Sequence, residues 1–174
     1  MLIKTLKSLF TRELNKLKTE IASYKEESSI WSIDKQIANS AGNLCLHLIG
    51  NLNTYIGAEF GNTKYVRDRP AEFSLKDVPR AELIKKIEDT IIVVNNALDK
   101  VTEADLRNNY PMLVLDKETS TEYFLIHLLA HLTYHLGQVN YHRRLLDVYV
   151  KYCFLKQLCQ SFNQPSIRYF HQRL

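Results

Sequence analysis

Four of the six histidines, His127, His131, His135 and His142, fall in one short stretch, separated by four, four and seven residues. On an α-helix, residues four apart share a face one turn above each other, so His131 and His135 can put two imidazoles on a single ion. A third imidazole is available from His47, inside the run Asn43-Leu-Cys-Leu-His47-Leu-Ile-Gly-Asn51. Three neutral imidazoles converging from two helices form a first shell for Zn²⁺, Ni²⁺ or Fe²⁺ and leave one position open, as catalytic sites do. An ion there lowers the pKa of a bound water or activates a bound thiol. The plain alternative is a set of hydrogen-bonded core histidines with no ligand role.

The remaining polar residues sort around this trio. His127 and His135 stand two turns apart, about 12 Å along the axis, too far for both to join His131 on one ion. His127 is therefore expected as a pocket or supporting residue. Gln138 and Asn51 each lie one turn from a ligand and can orient it or a bound water. His142, two turns beyond His135, is expected to be structural. A di-iron carboxylate centre is excluded because no Glu precedes a histidine by three residues. No nucleophile elbow or phosphate-binding glycine loop is present, and Cys45 falls on the opposite side of its helix from His47.

Four helices are expected to position these groups. Gly (5) and Pro (4) are scarce in the 174 residues, which favours long helices over a many-stranded fold. Ile3, Leu6, Phe10, Leu14, Leu17, Ile21 and Tyr24 make the apolar stripe of a first helix over residues 2–24. A connection with the lone Trp31 follows, the ring expected over one end of the core. A second helix starts after Ser40 or Asp34 as N-cap and stops near Gly61, with Ser40, Leu44, His47, Asn51, Tyr55 and Ala58 on one stripe. Half of that stripe is polar or small, and an unpaired buried polar group costs about 1–3 kcal/mol, so this helix carries polar groups inward for a reason.

The connection Arg67-Asp-Arg69-Pro-Ala-Glu72-Phe73 offers two readings. Its charges pair on the surface, or Arg67 or Arg69 grips an anionic ligand bidentately. A third helix from Pro79 carries the apolar stripe Leu83, Ile87, Ile91, Val94, Leu98 and Val101 and serves as scaffold. The run 112–115 is expected as a short extended segment. A fourth helix is capped by Thr119 or Ser120 and presents Phe124, Leu128, His131, His135, Gln138, His142 and Leu145 to the interior. Beyond Leu146 no breaker appears until Pro165, so the helix either breaks near Asp147 or projects as an amphipathic tail.

Residues 1–147 hold 19 basic and 19 acidic side chains, and the whole excess of +4 comes from Lys151, Lys156, Arg168 and Arg173. That is too weak a patch for nucleic acid. No run is long and apolar enough to span a membrane, no signal peptide opens the chain, and three unpaired cysteines suit a reducing compartment, so a cytoplasmic protein is expected.

The motifs Asn43-Leu-Cys-Leu-His47-Leu-Ile-Gly-Asn51 and His131-Leu-Thr-Tyr-His135-Leu-Gly137-Gln138 resemble those of the DinB/YfiT-like superfamily of metal-dependent four-helix proteins. Arg67-Asp-Arg69-Pro-Ala-Glu72-Phe73 is similar to the corresponding connection in one of its uncharacterised branches. The resemblance covers about residues 1–147, leaving 148–174 as an additional helical extension. It implies an all-α, up-down-down-up four-helix bundle, often a homodimer, with a metal on His47, His131 and His135. It further implies a small-molecule reaction, with S-transferases and isomerases that use low-molecular-weight thiols such as bacillithiol or mycothiol among the relatives. The expected function is a metal-dependent transferase or hydrolase. A non-enzymatic metal-binding or interaction module is the alternative.

Overall fold

A computed structural model describes residues 2–34 and 36–161, with side chains through residue 147. It is all-α: the elements in order are α1 (Leu2–Ala22), a 3₁₀ turn (Glu27–Trp31), α2 (Ala41–Leu52), a π-helical stretch (Asn53–Ala58), α3 (Glu59–Gly61), α4 (Arg69–Ser74), α5 (Arg80–Leu98), α6 (Glu103–Arg107) and α7 (Thr121–Ser161). The β-type pairing among the described residues is an isolated bridge between Asn109 and Ser120. The run 112–115 forms no strand. Instead, the 108–121 loop is closed by Tyr110 N–H on the Thr119 carbonyl and Thr121 N–H on the Asn108 carbonyl, both at 2.8 Å.

The apolar stripe of α1 is buried as its periodicity requires, through Leu6, Phe10, Leu14, Leu17 and Ile21. It packs on α5 and α7, and α2 packs on the same two helices. Every residue of α2 is buried, so this helix is central rather than amphipathic. Ser40 is its N-cap, accepting from Asn43 N–H at 3.1 Å. Trp31 covers the start of α2 as expected, against Gly42, where a Cβ would collide with the indole.

On α7, Ser120 is the cap, accepting from Tyr123 N–H at 3.2 Å. The stripe facing the core is Leu125, Leu128, Leu132, Leu136, Val139 and Leu146, with Phe124 beside it. That row is rotated from the expected one, and Leu145 is exposed. The leucines supply a wholly apolar face, so the histidines need not enter the core. His127, His131 and His135 lie along its edge, half-buried, where α7 meets α2, while His142 is buried.

α7 does not break near Asp147. It is one helix of 41 residues, about 62 Å long at 1.5 Å per residue. Asp147 itself is buried and its carboxylate accepts from the backbone N–H groups of Lys25 and Glu26 at 2.9–3.2 Å. This fastens α7 to the end of α1. No helix among the described residues is long and apolar enough to cross a membrane.

Candidate metal centre

The site is built outward from Ser40. Its hydroxyl donates to the Asn43 side-chain Oδ1 at 2.6 Å, which turns the Asn43 side-chain Nδ2 toward α4. That nitrogen donates to the carbonyls of Glu72 and Leu75 at 3.0 and 2.9 Å, fixing the end of α4 against α2. Asp68 caps the other end of α4 by accepting from Ala71 N–H, with Pro70 in the first turn. α4 then delivers Glu72, which is buried, onto Gly50. A Cβ at position 50 would overlap the carboxylate, so a glycine inside a helix, normally unfavourable by about 1 kcal/mol, is what this approach needs.

Glu72 Oε2 lies 3.0 Å from His47 Nδ1. A carboxylate only accepts, so a hydrogen bond to Glu72 puts the His47 proton on Nδ1 and leaves Nε2 its lone pair; Arg67 Nη2, 3.2 Å from the same nitrogen, then donates to Glu72 Oε2 rather than to His47. Gln138 performs the same service for His135, its Oε1 accepting from Nδ1–H at 2.6 Å. Both lone pairs converge on His131, whose Nε2 is 3.3 Å from His47 Nε2 and 3.1 Å from His135 Nε2. A tetrahedral ion with metal–nitrogen bonds of about 2.0–2.1 Å sets its nitrogens about 3.3–3.4 Å apart. The three imidazoles are thus close enough to hold one divalent ion, and all their ligand atoms lie within 4.8 Å of one another.

Electrostatics favour the neutral form of His131 and His47. Burial, then the neighbouring His135 and His47, pushes the His131 pKa down to about 4. Burial also lowers that of His47, outweighing the hydrogen bond and charge of Glu72. Neutral imidazole is the form that ligates.

The other expected residues fall as follows. His127 stacks between Phe124 and His131, with centroids at 5.9 and 6.4 Å, and stays outside the trio. Tyr55 meets Phe124 while His47 meets His131 and His135, so α2 and α7 run antiparallel and Asn51 lies level with the turn between His127 and His131. Asn51 Oδ1 and His131 Nδ1 are both buried without a partner, an acceptor and a potential donor at one level. His142 is structural: Nε2–H donates to the Ser32 carbonyl at 2.9 Å and Nδ1 accepts from Tyr24 OH at 2.8 Å.

Arg67 does not stand free to grip an anion. Its Nε and Nη2 donate to the two oxygens of Glu72 at 2.6 and 2.8 Å, and its guanidinium carbon sits 5.7 Å from the centre of the Tyr55 ring. The expected surface pairing within 67–72 is therefore a buried one. Arg69 is exposed on the first turn of α4. Glu72 is the functional residue that periodicity missed. Two sequence signals point to it: the Asp-x-Pro-x-Glu pattern that starts a short helix, and the glycine at position 50 opposite.

An all-α chain with a histidine trio braced by a carboxylate and an amide defines the class. The chain belongs to a family described as a protein of unknown function, DUF1572, whose model matches residues 2–151. Among solved structures it is similar to the conserved protein of a locus from Enterococcus faecalis, at 15% identity and a TM-score of 0.66, covering 82% of this chain and 95% of that one. At that identity the likeness concerns the fold alone. No curated protein matches the chain.

Proposed function

We infer that this protein is a metal-dependent enzyme whose His47, His131 and His135 hold one Zn²⁺, Ni²⁺ or Fe²⁺ ion in a DinB/YfiT-like, up-down-down-up four-helix bundle. The observation that carries the reading is the convergence of three Nε2 atoms at 3.1–3.3 Å, with two outer nitrogens already tied to Glu72 and Gln138. Hydrogen-bond partners on the far side of ligand histidines fix tautomer and ring orientation, and a merely packed histidine has no need of two such braces. A divalent ion in this place supplies Lewis acidity to an oxygen or sulfur group of a bound molecule.

The chain's own residues have separable tasks. Glu72 raises the basicity of His47 and sets its ring, while Arg67 donates to both Glu72 oxygens and holds them in place. Gln138 sets His135. Asn51 orients His131 Nδ1–H through a bridging water, which would satisfy both orphaned atoms. His127 walls the site beside His131. The reaction class is transfer or hydrolysis, with thiol-dependent S-transfer the activity that the DinB/YfiT resemblance implies. A panel of low-molecular-weight thiols and electrophiles, assayed with and without a chelator, tests it. Turnover abolished by chelation and restored by one divalent metal supports the enzyme, and no turnover across the panel rejects it.

One observation favours the second reading, an interaction module. Tyr123, Ile126 and Tyr134 form an exposed apolar row along the first half of α7, spaced by three and eight residues. We assign that row to a second copy of the chain, giving a homodimer. The mass in solution of Tyr134→Glu against the native protein checks the assignment.

A further inference from the structure

About one helical turn from the histidine trio, and lined by none of its three members, lies a cavity of about 370 Å³, within the range of small-molecule sites. One wall is the segment 36–39, held at one end by the His142 bond to Ser32 and at the other by the Ser40 cap. The opposite walls are Leu44 on α2 and Gln138, Tyr141, His142 and Leu145 on α7. Leu44 precedes His47 by three residues and Gln138 follows His135 by three, so both walls sit about 4.5 Å along their helices from a candidate ligand. Gln138 belongs to both places: its Oε1 braces His135 and its side chain lines the cavity.

The lining is chemically one-sided. Among the described residues it contains no Asp, Glu, Lys or Arg; its polar side chains are the amides of Gln36, Asn39 and Gln138, the Tyr141 phenol and the His142 imidazole. His142 is neutral there, since burial lowers its pKa and both nitrogens are engaged. Arg67, whose Nη2 lies 3.2 Å from His47 Nδ1, is held by Glu72 and is absent from these walls. A carboxylate or phosphate entering this space would lose water and meet no cation among the described residues.

We propose that this cavity is the substrate site of the metal centre and takes an uncharged, largely apolar small molecule bearing a carbonyl, amide or hydroxyl group, with Gln138 relaying its presence to His135. The proposal rests on the metal reading for what the bound molecule is for, and on the cavity alone for whether it binds. An anionic thiol, by contrast, finds no counter-charge in it.

The test is a pair of equal-sized probes, benzamide and benzoate, titrated into the full chain and followed by backbone amide NMR, once with a chelator and once with Zn²⁺. Benzamide is expected to shift the signals of Ile37, Leu44 and Tyr141 in both conditions, with benzoate at least about tenfold weaker for want of a cation. Leu145→Trp, at a half-exposed position that tolerates bulk, fills the mouth and is expected to abolish those shifts while leaving metal content unchanged. Shifts by neither probe, equal binding of benzoate, or unchanged benzamide binding in Leu145→Trp overturns the proposal. Benzamide shifts that persist in protein unable to hold an ion keep the cavity and sink the metal centre. Shifts confined to His47, His131 and His135 and lost on chelation do the reverse.

Discussion

Replacing Glu72 by Gln separates the support of the site from the site itself. Gln keeps an acceptor for His47 Nδ1–H but removes the charge, and Arg67, whose side chain is 13% exposed, loses its counter-ion. Loss of a hydrogen-bonding partner to a charged group costs about 1.5–3 kcal/mol, and that is the expected fall in stability in urea unfolding of the metal-free protein. Metal affinity is predicted to fall by about 10–100-fold, equivalent to about 1.4–2.7 kcal/mol, as when a carboxylate behind a ligand histidine is lost. Chelator competition with Zn²⁺ measures it. Arg67→Ala provides the contrast: it removes the same ion pair and a similar amount of stability but leaves Glu72 on His47, so affinity should change by only a few-fold. The reasoning is refuted if Glu72→Gln binds Zn²⁺ within about twofold of the native protein, or if Arg67→Ala weakens binding more than Glu72→Gln does.

Gly50→Ala should displace Glu72 from His47, destabilising the fold by about 1–3 kcal/mol and weakening Zn²⁺ binding in the same direction as Glu72→Gln; denaturant midpoints and chelator competition report both. Gln138→Leu leaves the exposed His135 brace without its acceptor and is predicted to weaken Zn²⁺ by up to about tenfold with little change in stability. Tyr24→Phe removes the donor to buried His142 Nδ1, and the urea midpoint should fall by the equivalent of about 1–3 kcal/mol with metal content intact. The pH dependence of the metal-free protein follows from His131 and His142, both lowered in the fold. As pH drops below about 6.5 the unfolded chain takes up protons that the native state refuses, so stability is full above that pH and declines toward about 4, where native His131 protonates. A urea midpoint that rises on acidification through this window would contradict the assignment.

How much of this was legible in the sequence depends on the range of the contact. The candidate ligands His131 and His135 and the brace Gln138 are local features of α7, the Ser40 cap is a local feature of α2, and spacing within each helix is enough to place them. His47 needed a second helix but stood out as a polar residue in an apolar run. The orientation of α7 differs from the expected one by a fraction of a turn, because Leu125, Leu128, Leu132, Leu136 and Val139, interleaved with the polar row, already supply the core-facing side. Glu72 was out of reach of any period, since its meeting with His47 depends on Asn43 pinning α4 and on Gly50 leaving room. Arg67 was legible as a bidentate group, but its acceptor turned out to be five residues away in the same connection rather than a ligand.

The central claim is that one ion sits among His47, His131 and His135. Titration of Co²⁺ into the metal-free protein, followed by its visible absorption, tests it most directly alongside the three single His→Ala variants and His142→Ala. The account predicts one equivalent per chain with the spectrum of a low-coordinate nitrogen-ligated ion, abolished or weakened by orders of magnitude in each of the three variants and retained in His142→Ala wherever that variant folds. No stoichiometric binding, or binding equally tight without His131, would contradict it.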